Sequence, residues 1–408
     1  MKILYFHQHF STPQGATGIR SYEMAKKLIE NGHQVTMVCG SYSGGNTGLT
    51  NNFVNGQRRG DVEGISVIEF SLDYSNSQTF LQRSLAFGKF AYRSIKLSLT
   101  LDYDVVFSTT TPLTAALPGV FARWLRKKHF IFEVRDLWPE LPKAMGVIKN
   151  PLVLGLLSLL EWSAYKSAHG HIGLSPGIVK GIRRYLPEKS KIANIPNGCD
   201  LAIFSNKADK WQPDHINDDD FVAVFTGTHG QANGLENIIA AAKLIQDKKI
   251  NAIKIVLIGQ GKLKPALQAQ AKEQKLTNVL FLDPVNKEKL AQLMARANVG
   301  LQLLANVPAF YYGTSPNKFF DYIASGLPVI NNYPGWLADS ISEYQCGVAV
   351  PADDNNALAQ ALIDLNNSRE RLPAMSENAL RLAKDKFDRK ILASQFVQYI
   401  EESYQQHD

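Results

Sequence analysis

Apolar residues in this chain fall into short continuous runs, separated by stretches with helical spacing. Lys2-Ile3-Leu4-Tyr5-Phe6 reads as a buried strand, because a short unbroken apolar run suits a strand covered on both faces. A glycine-containing loop follows at Gly15-Ala16-Thr17-Gly18. Tyr22, Met24, Ala25, Leu28 and Ile29 then recur at helical intervals until Asn31-Gly32 ends the pattern. Val35-Thr36-Met37-Val38 is the next strand, and a strand–helix–strand unit within ~35 residues implies parallel pairing. Val105-Val106-Phe107 and Phe130-Ile131-Phe132-Glu133 add strands, with helical sequence between them.

The alternation restarts after Asn197-Gly198. Strands are predicted at Phe221–Thr226, Ile253–Ile258, Val279–Leu282, Val299–Leu303 and Val329-Ile330, and helices at Leu235–Lys248, Lys287–Ala297 and Pro316–Ser325. Residues 205–220 are polar and turn-rich and read as a linker. The predicted fold class is α/β, with two Rossmann-like, doubly wound domains facing each other across a cleft. The first spans residues 1–198 and the second 199–388, with a final helix of about 389–408 available to pack back on the first. A chain of 408 residues suits two such domains.

Composition narrows the class. Apolar residues at 45% and charged residues at 20% exclude disorder, collagen and coiled coil for the whole chain. Cys39, Cys199 and Cys346 lie far apart, with neither a disulfide framework nor a zinc spacing, which fits a reducing compartment. The N-terminus lacks the roughly 7–15-residue apolar stretch of a signal peptide, so a cytoplasmic location is expected. No run approaches the roughly 18 apolar residues of a membrane span. Charge is uneven: residues 1–198 hold 23 Lys and Arg against 13 Asp and Glu, a net of +10, whereas residues 199–408 hold 21 against 24, a net of −3. The basic half points to an anionic partner.

Four segments could carry chemistry. Gly227-Thr228-His229-Gly230-Gln231-Ala232-Asn233-Gly234 follows a strand and opens a helix. Glycines let a backbone approach a ligand and a helix N-terminus favours anions, so Gly227, Thr228 and Gly230 are candidates to cradle a diphosphate; the alternative is a plain connecting turn. In Gly313-Thr314-Ser315-Pro316-Asn317-Lys318-Phe319-Phe320-Asp321, Ser315 is a candidate N-cap and Pro316 suits the first turn. Lys318 and Asp321 share one helix face, where the lysine can hold phosphate and the aspartate a ribose diol; the alternative is a surface ion pair. Arg135 and Asp136 follow a buried strand, where charges are costly unless paired or used, so they point towards the cleft or form a salt bridge with each other. Gly15 and Gly18 sit at the first strand–helix turn, but Gly-x-Gly-x-x-Gly is missing and the second strand ends without an acidic residue, which argues against a nicotinamide enzyme while leaving the loop able to contact the leaving phosphate of a donor.

Other signals carry less. Asp218-Asp219-Asp220 reads as a solvated charge run and Asp102-Tyr103-Asp104 as the flank of a strand. His169-x-His171 lacks a third metal ligand, so no metal is expected. No nucleic-acid partner is expected, because the basic residues are not interleaved with a stacking aromatic platform. Residues 80–99 place Lys89, Arg93 and Lys96 along one stripe of an otherwise largely apolar segment, the pattern of an interfacial basic helix. With the apolar residues 152–160 it offers a peripheral membrane contact, and both segments also suit core helices.

Jointly, Ile195-Pro196-Asn197-Gly198-Cys199-Asp200 with Phe204, Phe225-Thr226-Gly227, Leu257-Ile258-Gly259-Gln260-Gly261 and Ser315-Pro316-Asn317-Lys318-Phe319-Phe320-Asp321-Tyr322-Ile323-Ala324-Ser325-Gly326-Leu327-Pro328-Val329-Ile330 resemble the GT-B glycosyltransferases of family GT4. Glu133–Glu140 and Ser315–Lys318 look like the bacterial branch that builds O-antigen and capsule, which includes N-acetyl-L-fucosamine transferases. The resemblance implies a retaining, metal-independent transferase with no cofactor. By the resemblance its donor would be a nucleotide sugar, UDP-linked, carrying an N-acetylated hexosamine or deoxyhexosamine. The acceptor would be a lipid diphosphate-linked saccharide at the cytoplasmic face of the inner membrane. Asp321 would hold the ribose, the Asp283-Pro284-Val285 loop, through Pro284 and Val285, would flank the base, and Asn197 and Gly259 would line the donor site. Lys318 and Arg135 would neutralise the diphosphate and Asp136 would orient the acceptor. The chain departs from the family pattern in five places: Gly313 and Asp321 stand for the two acids of Glu-x7-Glu, Thr228 and Asn233 replace the family's Arg and Lys, and Arg135 replaces a His. A nucleotide-sugar 2-epimerase of the same architecture is the alternative; a two-lobed sugar-binding protein would usually need export.

Overall fold

The computed structural model describes residues 1–15, 17–75, 78–204 and 209–406. Ala16 of the first glycine loop, residues 205–208 of the expected linker and the last two residues of the expected final helix lie outside the described residues. The chain divides into two compact units. One comprises Met1–Pro196, Tyr312–Ser315 and Lys390–Asp408, the other Asn197–Tyr311 and Pro316–Arg389.

The first unit holds strands β1 (Lys2–Phe6), β2 (Gln34–Gly40), β3 (Gln57–Val62), β4 (Ile65–Phe70), β5 (Val105–Thr109), β6 (His129–Val134), β7 (Gly170–Gly173) and β8 (Ile192–Asn194). They form one sheet in the order β3-β4-β2-β1-β5-β6-β7-β8. All neighbours are parallel except the β3–β4 hairpin. Edge strand β3, QRRGDV, carries two arginines and escapes an apolar-run reading; such charge blunts an exposed edge. On one face Met24, Leu28, Phe396 and Ile400 pack on Ile3 and Tyr5. On the other, Phe90, Ala122 and Ala164 pack on Leu4, Phe6 and Phe130. Burying a side chain such as Phe130 stabilises the unit by about 1.5–3 kcal/mol. Strand order reverses between β1 and β5, and ligands of open α/β sheets bind outside the carboxyl ends at such a switch point.

The second unit holds β9 (Phe221–Thr226), β10 (Ile253–Ile258), β11 (Val279–Leu282), β12 (Val299–Gln302), β13 (Val329–Asn331) and β14 (Gly347–Ala349). Its sheet runs β11-β10-β9-β12-β13-β14, and every neighbouring pair is parallel. Helices Glu236–Asp247 and Asn355–Asn367 cover one face, with Ile238, Ile245, Leu358 and Leu362 against Phe221, Phe225 and Leu257. Here the switch point lies between β9 and β12.

The helix expected over Pro316–Ser325 runs Asn317–Ala324. Ser315 is not its N-cap: that position is Pro316, with φ −75 and ψ 125, whose side chain makes no capping hydrogen bond. A residue before proline is pushed out of the helical region. Pro316 is itself extended, so the first helical residue is Asn317.

Candidate functional site

In the second unit the chemistry gathers at the carboxyl ends of β9, β10 and β11. Gly227, at φ 133, leaves β9, and Gly234, at φ 56, closes the loop. Both values lie in the region that favours glycine. Gly227 and Thr228 are exposed and Gly230 is half-buried. The Asn233 amide nitrogen donates to the Thr228 carbonyl at 2.7 Å, and its oxygen accepts from Lys318 Nζ at 2.6 Å. Lys318 is half-buried, and its ammonium lies 4.4 Å from the centroid of the Phe225 ring. Desolvation pushes it down to about 7. The lysine is therefore poised at the loop in a state that a nearby anion would recharge.

Asp321, one turn on, does not pair with Lys318. It is 6% exposed, and its carboxylate lies 3.6 Å from Lys287 Nζ. Lys287 also donates to Asp200 at 2.6 Å, and Arg389 donates to both oxygens of Asp200. Burial opposes ionisation of Asp200, but Arg389 and Lys287 outweigh it and hold the carboxyl at about 2. At Asp321 burial prevails over Lys287, and the carboxyl is raised above its usual range. Around the Asn197–Asp200 motif, Asn197 is buried, Arg389 donates to Gly198 O at 2.6 Å and Cys199 Sγ donates to Phe320 O at 3.3 Å.

Lys264 has no signal in the sequence, yet it sits buried at the ends of β10 and β11. Its ammonium donates to Gly259 O and Leu282 O, each at 2.9 Å, and to Asp283 at 2.7 Å. It thereby fixes the start of the loop in which Pro284 is exposed and Val285 half-buried. Gly259 has a packing reason of its own: a Cβ there would lie 1.8 Å from Gly227 O. His229, buried beside these loops, is pushed down to about 4 by burial and by Lys264, so it is neutral at physiological pH.

In the first unit the charged residues after β6 meet the ends of β1 and β5. Arg135 Nη1 donates to His7 Nε2 at 3.1 Å, and the Arg135 amide donates to Thr110 Oγ1 at 2.8 Å. Burial and Arg135 hold His7 well below its usual range, so the neutral imidazole accepts from the guanidinium. Thr111 Oγ1 donates to Asp136 at 3.0 Å, and burial raises the Asp136 carboxyl. Thus Arg135 and Asp136 do not satisfy each other. The ion pair at this edge is instead Arg20–Glu133, at 2.8 Å with both side chains fully buried. Arg20 also donates to Pro196 O at 2.6 Å and Ile195 O at 2.9 Å. Gly15 is buried, and a Cβ there would lie 2.2 Å from Ser11 Oγ; Gly18 is half-buried before the Arg20–Glu30 helix.

His7, Arg20, Thr110, Thr111, Lys264, Lys287 and Arg389 are partners that sequence reasoning missed. Only His7 left a trace, as a polar residue closing the first apolar run. Among the described residues no three of His, Cys, Asp and Glu group as a metal site requires. His171 is buried, its Nε2 donates to Tyr165 O at 2.9 Å, and burial pushes it down to about 4.

Residues 206–382 match the family model described as glycosyl transferases group 1, and residues 15–198 match that of the glycosyl transferase 4-like domain. A probable glycosyltransferase of Pseudomonas aeruginosa, WbjE, is 25% identical over 306 residues, covering 72% of this chain and 74% of that protein. The putative colanic acid biosynthesis glycosyl transferase WcaI of Escherichia coli K12 is 22% identical, over 97% of this chain and 99% of that protein. The crystal structure of Anabaena HepE in complex with UDP-glucose superposes with a TM-score of 0.68 at 16% identity, covering 98% of this chain and 100% of that one.

Proposed function

Because the chain belongs to the group 1 glycosyl transferases and has their two-domain GT-B fold, we propose that it transfers a sugar from a nucleotide diphosphate to a growing cell-surface polysaccharide. UDP as the nucleotide is supported by the fold shared with HepE, which was solved with UDP-glucose. A role in polysaccharide synthesis is supported by the likeness to WcaI. The sugar is an N-acetylated hexosamine or deoxyhexosamine, N-acetyl-L-fucosamine among the candidates, and the acceptor is a saccharide on a lipid diphosphate at the cytoplasmic face of the inner membrane. The epimerase alternative draws no support from the family matches or from these relatives.

The observation that carries the reading is Lys318, a half-buried cation tied to the loop after β9 through Asn233. Asn233 stands where the family's lysine is expected, so Lys318 supplies a cation that the loop itself lacks. In the proposed reaction Lys318 and the loop of Gly227, Thr228 and Gly230 hold the diphosphate as negative charge develops on it. Fixed donors of this kind stabilise a transition state without reorganising, so a divalent metal is not needed. Asp321 accepts from the ribose hydroxyls, with Lys287 beside it, and Pro284 and Val285 flank the base. The acceptor oxygen bonds to the anomeric carbon on the face from which the diphosphate departs. The acceptor proton passes to the leaving phosphate oxygen, and configuration is retained. Asp136, oriented by Thr111, positions the acceptor hydroxyl, and Arg135 adds positive charge.

Thermal unfolding with UDP-, GDP- and TDP-sugars tests this. A UDP-sugar should raise the melting temperature of the wild type, and Lys318→Ala should remove that shift and lower turnover ~100-fold. A folded Lys318→Ala protein with wild-type turnover would overturn the assignment.

A further inference from the structure

Three helices, Phe80–Thr100, Leu117–Arg126 and Pro151–Ser167, cover one face of the first unit's sheet. Each buries one side and carries a second apolar stripe facing outward. Leu81 and Leu85 are four residues apart on the first helix, at 68% and 58% exposure. Leu152 and Leu156 repeat that spacing on the third, at 77% and 68%, and residues four apart lie on one helix face. Trp124 on the middle helix and Trp162 on the third are exposed as well. The middle helix packs against both others, so the stripes adjoin. Soluble monomers rarely leave a contiguous apolar surface of this kind without a partner.

The charge around the patch has one sign. Lys89, Lys96 and Lys166 are exposed on these helices. Their one acidic residue, Glu161, is buried and accepts from the Tyr185 hydroxyl at 2.9 Å. Among the described residues no helix is long and apolar enough to cross a membrane. We propose that this three-helix face docks in the plane of a membrane surface rich in anionic lipid. Leucines enter the acyl boundary, tryptophans lie at headgroup depth and lysines meet lipid phosphates. A second copy of the chain fits poorly, because a two-fold contact places the same patch on both sides and sets lysines against lysines. The inference deepens the proposed function by giving a lipid-linked acceptor a surface to arrive on, and it extends the docking face to the middle helix.

Vesicle flotation of the intact chain tests it without turnover, using phosphatidylcholine vesicles with and without phosphatidylglycerol. The protein should float with the anionic vesicles at least about tenfold more than with the neutral ones. The Leu152→Glu/Leu156→Glu double variant should lose flotation by about tenfold or more, with an unchanged melting temperature because both positions are exposed. Lys89→Gln/Lys96→Gln should remove the preference for anionic lipid. Absence of flotation with either vesicle overturns the proposal. So does a wild-type dimer that the double leucine variant makes monomeric, which would assign the patch to contact between copies. Flotation that persists in a protein showing no glycosyl transfer leaves the docking intact and counts against the proposed function alone.

Discussion

Two opposed demands meet at Lys318. Its ammonium is drawn to Asn233 and the Phe225 ring, yet desolvation lowers it from 10.5 to about 7. Below pH 7 the folded protein carries the full cost of desolvating the charged ammonium, and between pH 7 and 10.5 that cost fades as the folded form sheds the proton. Lys318→Met should therefore raise the melting temperature more at pH 6 than at pH 9. An equal shift at both values would show that the lysine is not desolvated. For the same reason donor affinity should decline as pH rises above about 7, because diphosphate binding draws a proton onto the lysine. Asp321→Asn should weaken nucleotide binding in a calorimetric titration while the protein stays folded; an unchanged affinity removes Asp321 from the donor site. Lys318 and Asp321 were legible because both lie in one helix whose apolar face is clear. Lys264 and Lys287 were not, because each begins an ordinary polar helix and gains its meaning only from strand ends distant in sequence.

At the scale of elements, the Arg20–Glu133 pair joins the Arg20–Glu30 helix to the end of β6 and to the carbonyls of Ile195 and Pro196. Glu133 also accepts from Thr109 at 2.8 Å, so both buried charges are well provided with partners. Removing one side would strand the other charge, and Arg20→Met should cost about 3–5 kcal/mol in urea unfolding. A loss below about 1 kcal/mol would mean that the glutamate is reached by water. Most strands that form continuous apolar runs, such as β1, β6, β9 and β10, were readable directly. The short β7, β8 and β14 were not, because three or four residues, with glycine or a polar residue among them, are too few to show a periodicity. Helix starts also depended on detail: Pro316 displaced the expected Ser315 cap by holding an extended backbone.

For the whole molecule, both units follow the same winding rule, and both place their polar clusters at the carboxyl edge beside a reversal of strand order. In the proposed reaction Lys318, at the second unit's edge, takes the role that a divalent ion would otherwise fill. Transfer measured with purified donor and acceptor should accordingly persist in excess EDTA. Loss of activity that magnesium restores would require a metal in the mechanism. The basic excess of residues 1–198, a net of +10, is partly spread over helices whose outward sides are apolar, the combination on which the proposed membrane docking rests.

The sequence by itself determined the parallel α/β class, the twofold restart of the pattern and the segments that hold Arg135, Asp136, Lys318 and Asp321. Those features are local, written in the period of apolar residues and in motifs a few residues long. Only the tertiary structure decided that Lys318 answers to Asn233, Asp321 to Lys287 and Arg135 to His7. The physical reason is that a buried charge takes its partner from whichever strand end or helix face the fold brings within hydrogen-bond reach, and that proximity has no counterpart in sequence spacing.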